Sequence, residues 1–279
     1  MTIRLPFPWK GLARPFAAAV AALLVGPQGA WGAAGDPDPS FGMGGFEVTL
    51  DGDYAYSADM VRQPDGKVVI AATNHARRAE IQVHRYSSDG GLDPSFGDGG
   101  VATTQLDGLA HLEAVLLQPD GKIVAVGDRL GSTTGYDVVV VRYDSSGALD
   151  PSFGTGGIAV LDIGGRTNFA QSAALQDDGG IVVGGYTVLT ANNADFFVIR
   201  FDGDGQIDPG FGTGGSVAID FGGRDFAFSL ILQADQKIVI AGRSTVPGGQ
   251  TIAVARLEPD GTPDAGFGSG GHVQGAQAA

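Results

Sequence analysis

The sequence predicts an all-β fold in which one unit is used several times. The 279 residues carry five copies of a linker motif, which reads Asp-Pro-Ser-Phe-Gly in three copies and is decayed in two. A fixed period of this kind is typical of tandem supersecondary units. The 47 glycines and the lack of long apolar stretches at the helical period argue against helices. The linker phenylalanines are spaced by 55, 57, 58 and 56 residues, and we expect the first four to be buried between adjacent units, because glycines around them allow close approach. They are Phe41, Phe96, Phe153, Phe211 and Phe267.

The first two elements of each unit are predicted to be strands, the second of which ends in a tight turn. Each linker is followed by Gly-Gly, and residues 46–50 after the first copy alternate apolar and polar side chains, as in a half-buried strand. The next apolar stretch ends in glutamine. Pro64 and Gly66 then fit the second and fourth positions of a β-turn. The fourth copy, at 233–236, has lost both residues, so we expect a looser turn there.

The third and fourth elements complete a four-stranded unit. The third strand is apolar throughout, as at residues 123–127, which indicates burial on both faces. Four strands in a repeat of this length are typical of a propeller blade. A β-solenoid usually has shorter repeats, and a β-sandwich gives no reason for a fixed period. The fourth strand ends in an arginine that we interpret as structural and paired with a nearby carboxylate: Arg85, Arg142, Arg200 and Arg256.

The predicted fold is therefore all-β and β-propeller-like, with four four-stranded blades and a truncated fifth repeat motif. The linker occurs five times for four strand sets, so its first and last copies compete for one place in a closed ring. Two arrangements remain, a four-bladed ring or an open arc. An open arc exposes an unpaired blade face, which favours a homodimer. The repeats span about 36–90, 91–147, 148–205 and 206–262, with a partial copy at 263–273.

The first 34 residues are predicted to be a secretory signal peptide. Basic residues precede an apolar run at 16–25 that is too short to span a bilayer, and small residues follow it. An ordinary buried helix is the alternative, and three prolines within the first fifteen residues oppose it. The repeat domain then covers 35–273, with a C-terminal tail at 274–279. We expect a secreted, periplasmic or cell-surface protein.

Composition limits the classes of partner. Cysteine is absent, which excludes disulfides and thiolate chemistry. The net charge is −14, and loss of residues 1–34, which hold three cations and no acids, would make it −17. Phosphates would be repelled, so nucleic acid is not an expected partner. No second apolar run of spanning length follows, so we do not expect an integral membrane protein.

The repeats resemble those of the delta-60 repeat family, tandem repeats of bacterial, mostly exported proteins. The resemblance is carried by Leu-Asp-Pro-Ser-Phe-Gly at 92–97, Gln-Pro-Asp-Gly-Lys-Ile-Val at 118–124 and Arg-Tyr at 142–143. It covers about residues 36–273 and is weaker in the fourth turn. It implies a β-propeller-like fold in an exported bacterial protein, and it implies no general activity.

One face of the repeat domain is predicted to carry the function. The Pro-Asp-Gly turns and the linkers share a face, while the opposite face carries connections that differ in every copy. Varied loops on a regular scaffold are where binding residues usually lie. Arginines there predict a site for an anionic glycan or another carboxylate ligand; the alternative is that they pair with local acids such as Asp128 and Asp225. The candidate ligand-binding residues are His75, Arg77, Arg78, Arg129, Tyr136, Arg166, Tyr186, Arg224 and Arg243.

A weak calcium-binding pattern occurs at residues 202–208. Asp202, Asp204 and Asp208 occupy the first, third and seventh positions of a calcium-type loop. The twelfth position holds Thr213 where such a loop has a bidentate glutamate. Aspartate with glycine is also ordinary turn chemistry. We therefore expect no cofactor, with calcium at this loop as the alternative.

Catalytic signatures are weak. The four histidines lie at unrelated repeat positions, and neither the H-E-x-x-H nor the G-x-S-x-G spacing occurs. The expected function is that of an exported binding or interaction module for a protein or a glycan. One alternative is a glycan-active hydrolase or lyase with carboxylates in the central channel, and another is a structural envelope module.

Overall fold

The computed structural model describes residues 36–47, 55–74, 80–131, 135–247 and 249–275, and every regular element in them is a β-strand. These ranges contain no helix that is long and apolar enough to cross a membrane. The chain divides into two compact units. The first includes residues 36–47 and 89–91, where the amide of Gly42 donates to the carbonyl of Asp89 at 2.6 Å. The second contains all the strands.

The strands form four antiparallel sheets, each of four strands in simple chain order. The predicted all-β fold of four four-stranded blades is confirmed. The first sheet is β1 (Ala55–Arg62), β2 (Val68–Asn74), β3 (Glu80–Tyr86) and β4 (Val101–Gln105); the second is β5 (Ala110–Leu117), β6 (Ile123–Leu130), β7 (Tyr136–Tyr143) and β8 (Ile158–Leu161); the third is β9 (Thr167–Leu175), β10 (Ile181–Thr190), β11 (Asn193–Phe201) and β12 (Ser216–Ile219); the fourth is β13 (Asp225–Leu232), β14 (Ile238–Val246), β15 (Gly249–Leu257) and β16 (His272–Gln274).

The sheets are out of phase with the sequence repeats. The strand after each Gly-Gly pairs with the strand set before it, because β4 pairs with β3, β8 with β7, β12 with β11 and β16 with β15. We expected this strand to open its own blade, and after the last four Gly-Gly motifs it is instead the outer strand of the preceding one. Most of the strand predicted at 46–50 lies outside the described residues. The truncated fifth repeat is therefore not surplus, since its strand β16 completes the last sheet.

The first strand of each later sheet packs against the sheet before it. β5 contacts β1, β2 and β3, β9 contacts β5, β6 and β7, and β13 contacts β9, β10 and β11. We call β1, β5, β9 and β13 the inner strands. Three apolar cores fill the three seams between neighbouring sheets. Among the described residues, no strand of the last sheet packs in this way on the first, so the four sheets form an open row.

Burial on both faces explains the apolar third strand of each sequence repeat. In β6, Val124 and Val126 belong to the core shared with the third sheet, whereas Ile123 and Ala125 belong to the core shared with the first. All four side chains are fully buried. A strand that packs on both sides has no solvent-facing position, so the usual alternation of apolar and polar residues disappears.

Each repeated arginine joins a strand to the linker that follows it. The Nε of Arg142 donates to Asp150 Oδ2 at 2.9 Å, and its guanidinium carbon lies 4.6 Å from the centre of the Phe153 ring. The predicted structural role is supported, and the nearby carboxylate is that of the linker aspartate eight residues later. The same three-residue arrangement occurs at Arg85–Asp93–Phe96, Arg200–Asp208–Phe211 and Arg256–Asp264–Phe267.

The linker phenylalanines lie in the seams, with one exception among those expected to be buried. Phe96, Phe153 and Phe211 are fully buried and belong to the three apolar cores. Phe41 is only half-buried, so the expectation of full burial is wrong for the first copy. Close packing on these rings requires glycine in a turn of the following sheet, since a Cβ on Gly147 would lie 3.0 Å from the Phe96 ring.

The fourth turn keeps the geometry of the other three. Gln236 takes the left-handed conformation, with φ of 66°, where the second turn has Gly121 with φ of 84°. The amide of Gln236 donates to the carbonyl of Gln233 at 2.9 Å, the same distance as between Gly121 and Gln118. The expected loosening is therefore wrong. The Gln236 side chain accepts a hydrogen bond from the amide of Asp177 at 3.1 Å, which helps to hold this uncommon backbone conformation.

Candidate functional site

Two rims of the sheet row carry different chemistry. The turn at 118–122 and the linker at 144–157 share one rim, where Lys122 Nζ lies 3.2 Å from Asp150 Oδ2. We call it the turn rim, and its sequence is nearly the same in each sheet. The opposite strand ends, with the connections from β6 to β7 and from β8 to β9, form the variable rim. Side chains that differ between sheets collect there.

The variable rim is made of strand ends and short connections rather than long loops. β10 and β11, for example, leave only two residues between them. Four of the predicted binding residues lie inside strands, and Arg166 and Arg224 lie directly before β9 and β13. His75, Arg77 and Arg78 fall outside the described residues. The four that lie in strands are Arg129 in β6, Tyr136 in β7, Tyr186 in β10 and Arg243 in β14.

Five half-buried rings form a row along the variable rim, across the second, third and fourth sheets. The ring centres are 5.7 Å apart for His111 and Tyr136, and 5.1 Å apart for Tyr136 and Phe169. The distances are 5.2 Å from Phe169 to Tyr186 and 4.9 Å from Tyr186 to Phe226. These separations are in the range of favourable aromatic pairs. We call these five residues the aromatic row.

A β-bulge recurs in every inner strand, next to the aromatic row. In β5 the bulge leaves Glu113 without a partner in β6. A Cβ on Gly127 of β6 would lie 1.9 Å from the carbonyl oxygen of His111, so the close backbone approach requires glycine. Bulges next to functional sites commonly redirect a side chain. The corresponding bulge residues of β1, β9 and β13 are Ala58, Gln171 and Phe228.

Acids of the second sheet adjoin one end of the aromatic row. The Nδ1 atom of His111 lies 3.3 Å from Asp128 Oδ1, and the hydrogen bond with Asp128 raises the pKa of His111. Burial, followed by the charge of Asp128, raises the pKa of Glu113 to about 7, against the opposing effect of His111. Burial also raises the pKa of Asp128. A carboxyl group that titrates near neutral pH beside an ion pair is suited to proton transfer.

Two arginines of the fourth sheet adjoin the other end of the row. The guanidinium carbons of Arg224 and Arg243 lie 5.1 and 4.9 Å from the centre of the Phe226 ring. Arg243 Nη1 donates to Gln250 Oε1 at 3.0 Å, while its buried Nε has no hydrogen-bond partner. Within the described residues, neither arginine has a carboxylate within 4.0 Å. We call them the arginine pair.

Tyr186 lies between these two groups of charge. Burial is the largest cause that raises the pKa of its phenol, and Asp128 and Glu113 act in the same direction. Arg243 and Arg224 act in the opposite direction. The acids of the second sheet and the arginines of the fourth therefore act on one side chain of the third. We call the aromatic row, Glu113, Asp128 and the arginine pair together the inner cluster.

The other predicted arginines lie apart from the arginine pair. Arg129 Nη2 lies 4.0 Å from Asp137 Oδ2, and its Nη1 donates to the carbonyl of Asp107 at 3.1 Å. Arg129 thus fits the alternative in which an arginine pairs with a local acid. Burial, followed by the charges of Asp220 and Asp225, raises the pKa of Asp195 to about 6, and the charge of the exposed Arg166 only partly opposes this.

The residues of the predicted calcium loop are held by other partners. Asp202 Oδ1 accepts hydrogen bonds from the amides of Asp204 and Gln206, at 2.9 and 2.8 Å. Asp208 pairs with Arg200 on the turn rim. These contacts are those of a turn. In the part of the chain that the structure describes, the group of three acids whose oxygens converge is a different one, Asp195, Asp220 and Asp225.

The sequence predicts only part of the inner cluster. Four of its residues were expected to bind a ligand because they lie near variable connections: Tyr136, Tyr186, Arg224 and Arg243. Glu113 was missed because it lies within a strand, where an acid suggests only a solvent-facing position. A glycine inside a β-branched strand, such as Gly127, is a usable signal, because it marks a bulge or a close backbone approach.

A family model matches the chain in four segments, at residues 63–96, 118–153, 176–211 and 233–267. The family is described as a domain of unknown function (DUF5122) beta-propeller. The chain belongs to this family. Each DUF5122 segment begins at the glutamine of a turn and ends at a linker phenylalanine, so it spans the two middle strands of a sheet and has both ends on the turn rim. No curated protein matches the chain significantly.

Solved structures with a similar course of the chain are distant in sequence. One is a GH43 β-xylosidase/α-arabinofuranosidase from a compost microbial metagenome, with 14% identity and a TM-score of 0.41 over 79% of this chain and 78% of that chain. Another is a candidate exo-β-1,3-galactanase from Bifidobacterium bifidum s17, with 10% identity and a TM-score of 0.36 over 78% and 70% of the two chains. Similarity at this level says nothing about the activity of this DUF5122 protein.

Proposed function

We propose that the protein is an exported binding module whose inner cluster binds an anionic glycan. The arginine pair carries the proposal. Arg224 and Arg243 share the Phe226 ring, and neither has a carboxylate partner within 4.0 Å in the described part of the chain. Guanidinium groups bind carboxylate and sulfate oxygens through paired hydrogen bonds. Two cations without acid partners, in a protein of net charge −14, suit an acidic ligand.

The remainder of the inner cluster suits the ring of a sugar. Tyr136, Phe169 and Tyr186 supply half-buried aromatic surface next to the arginine pair. Apolar surface with a few converging polar groups is typical of small-molecule sites. A pyranose has apolar C–H faces and hydroxyl groups at its edge. The rings would therefore contact its face, while the carboxylates of Glu113 and Asp128 accept hydrogen bonds from hydroxyl groups.

The exported setting of the proposal rests on residues 1–34. A basic start, an apolar run and small residues occur there in the order of a signal peptide. The resemblance to the delta-60 repeat family implies the same setting. Expression of the full chain in a bacterial host, followed by N-terminal sequencing of the exported protein, tests it. We expect a mature terminus close to residue 35, and retention of the intact chain in the cytoplasm would contradict export.

Binding of defined oligosaccharides tests the ligand. Calorimetric titration with oligogalacturonate should give binding that falls with added salt, because exposed ionic contacts are screened. Neutral xylo-oligosaccharides of the same length should bind more weakly. The double variant Arg224→Gln/Arg243→Gln should bind oligogalacturonate at least about tenfold more weakly, a loss of about 1.4 kcal/mol.

Arg129→Gln is the matched control, since Arg129 pairs with Asp137 and lies outside the arginine pair. Circular dichroism should show the same fold in all variants. Equal oligogalacturonate affinity in the wild type and the double variant would contradict the proposal. Equal loss in Arg129→Gln would indicate a general charge effect and would contradict it as well.

A second candidate function is glycan hydrolysis at the acid end of the inner cluster. The observation that favours it is Glu113, whose pKa of about 7 lets it act as a proton donor near neutral pH, beside the hydrogen-bonded Asp128 and His111. Release of reducing ends from acidic polysaccharides by the purified protein would support hydrolysis. Glu113→Gln should then abolish turnover, while weakening oligogalacturonate binding less than Arg224→Gln/Arg243→Gln does. If the wild type shows no turnover, hydrolysis is excluded and only the binding function remains as a proposal.

A further inference from the structure

Three acids meet at the seam between the third and fourth sheets, on the variable rim. Asp195 is the third residue of β11, Asp220 directly follows β12, and Asp225 is the first residue of β13. One carboxylate oxygen of each lies within 4.8 Å of the others. Three like charges this close are unfavourable unless protons or a cation neutralise them.

The buried member of the group has an oxygen without a partner. Asp225 is fully buried. Its Oδ2 accepts a hydrogen bond from the amide of Phe221 at 2.7 Å, and Ser244 and the amide of Gly223 also favour the charged carboxylate. Among the described residues, no donor reaches hydrogen-bond geometry at the buried Oδ1 of Asp225 or at the buried Oδ1 of Asp195. A buried carboxylate oxygen left without a partner is costly, and coordination of a cation would satisfy it.

The equivalent seam between the second and third sheets has an asparagine and an arginine at two places where the seam between the third and fourth sheets has neither. There Asn168 precedes Phe169 of the aromatic row as Asp225 precedes Phe226. Asn168 is satisfied within the protein, because its amide donates to the carbonyl of Arg166 and its oxygen accepts from Thr187 Oγ1 at 2.8 Å. Because asparagine is neutral, that seam has one carboxylate fewer than the seam between the third and fourth sheets.

At the seam between the second and third sheets, a second carboxylate is compensated by an arginine on the neighbouring strand. Asp137 pairs across the strands with Arg129, whose Nη2 lies 4.0 Å from its carboxylate. The residue opposite Asp195 is the neutral Thr187. The charge of Arg166 only partly opposes the burial and the neighbouring acids that raise the pKa of Asp195, and Arg166 makes no ion pair within 4.0 Å among the described residues. The third seam therefore has one more acid and one arginine fewer than the second.

We propose that Asp195, Asp220 and Asp225 bind one hard divalent cation, with calcium preferred to magnesium. Hard cations take oxygen ligands, and all three donors here are carboxylates. Calcium takes about six to eight oxygen ligands in flexible geometry, whereas magnesium demands a near-ideal octahedron, so carboxylates brought together from three separate segments suit calcium better. Asp195 also lines a cavity of about 200 Å³, which gives a cation and its remaining water ligands access.

Titration of the metal-free full chain with calcium chloride tests the site. Calorimetry should give one calcium ion per chain and a weaker response to magnesium chloride. Asp225→Asn and Asp220→Asn should each weaken calcium binding at least tenfold. Asp220 is exposed, so its variant keeps the test valid if Asp225→Asn does not fold. Arg166→Gln should tighten calcium binding, because a competing positive charge is removed.

Two controls separate this site from other acids. Asp162→Asn, at the equivalent place in the second seam, should bind calcium like the wild type, and so should Asp202→Asn/Asp204→Asn in the calcium-like loop. Calcium should raise the melting temperature of the wild type and leave that of Asp225→Asn unchanged. The proposal is overturned if the wild type binds no calcium, if Asp225→Asn and Asp220→Asn bind it unchanged, or if the 202–204 variant alone loses it.

Discussion

At the scale of single residues, the linker combines burial with charge. The Phe153 ring is fully buried, and Arg142 covers it at 4.6 Å while donating to Asp150. Burial of the ring could be predicted, because a large apolar residue repeated among glycines, which allow close approach, is typical of a packed seam. The stacked guanidinium could not, because only the pairing of the strands brings the arginine over a ring eleven residues later.

Truncation of Phe153 to Ala should lower the free energy of unfolding by about 3–5 kcal/mol, since the ring leaves a cavity in the seam between the second and third sheets. Urea denaturation measures the loss. Phe228→Ala is the control, because Phe228 is 49% exposed and its removal should cost less than about 1 kcal/mol. Similar losses for the two variants would contradict the packing of the linker ring in the seam.

Glu113 should make the stability depend on pH in a defined direction. Its pKa is raised to about 7 in the folded chain, so the folded state keeps the proton over a range where the unfolded chain has released it. This contribution is present at low pH and is lost as pH rises from about 4.5 to about 7. Glu113→Gln should therefore melt about 2–4 °C above the wild type at pH 8, and at nearly the same temperature at pH 4.

The control for this prediction is Asp98→Asn, which removes a charge from an exposed position in a linker. It should change the melting temperature little at either pH. A Glu113→Gln variant that is less stable than the wild type at pH 8 would show that the ionised carboxylate is satisfied in the folded state, and the assignment of a neutral-pH proton donor would be wrong.

At the scale of elements, the sequence predicts which residues form strands, but it does not predict which strands pair with each other. Alternation and β-branched runs marked the strands of each repeat. The strand after Gly-Gly, such as β4, has the same alternation whichever strand it pairs with. Its pairing with β3 depends on the linker turn, in which the amide of Asp93 donates to the carbonyl of Arg85 at 2.8 Å. That contact brings the chain back along the strand it has just left.

The inner-strand bulge gives a test of the glycine opposite it. In Gly127→Ala, the added Cβ would lie 1.9 Å from the carbonyl oxygen of His111, and the backbone of one strand must shift. We expect a loss of about 1–3 kcal/mol in unfolding free energy, as for other overpacked sites. The shift should also displace His111 and Glu113, which thermal melts at pH 4 and pH 8 would detect as a smaller pH dependence.

The matched control is Gly203→Ala. No atom lies within 4 Å of a Cβ at Gly203, and its φ is not in the left-handed region. Alanine there should leave stability unchanged or raise it by about 0.4–1 kcal/mol, through the entropy of the unfolded chain. If Gly127→Ala is as stable as Gly203→Ala, the strands tolerate the side chain and glycine is not required for the bulge.

At the scale of the four-sheet unit, the last linker completes the fourth sheet, and among the described residues no strand of that sheet packs on the first. The sequence left a ring and an arc as alternatives, because the first and last linkers are equivalent. β16 supplies the outer strand of the fourth sheet through its pairing with β15, so that place is filled from the C-terminal end. The number of blades could be read from the repeat, whereas closure depends on contacts between distant strands that no local pattern specifies.

The open row leaves one face of the fourth sheet without a following sheet. Ile231 and Ile252 on that face are 58% and 71% exposed, and Phe228 lies near them under Arg243. In each earlier sheet, the inner strand of the next sheet covers the corresponding face. A second copy of the chain presents strands of the same kind, so it fits this face better than an unrelated surface does.

We expect the protein to self-associate through this face. Sedimentation velocity should show a dimer that dissociates on dilution, and the double variant Ile231→Asn/Ile252→Asn should stay monomeric over the same range of concentration. Val160→Asn is the control, since Val160 is 41% exposed but lies on β8, the outer strand of the second sheet. It should dimerise like the wild type. A wild type that is monomeric at every concentration, or a double variant that still dimerises, would contradict pairing through the fourth sheet, since an exposed apolar face drives association only where a complementary surface covers it.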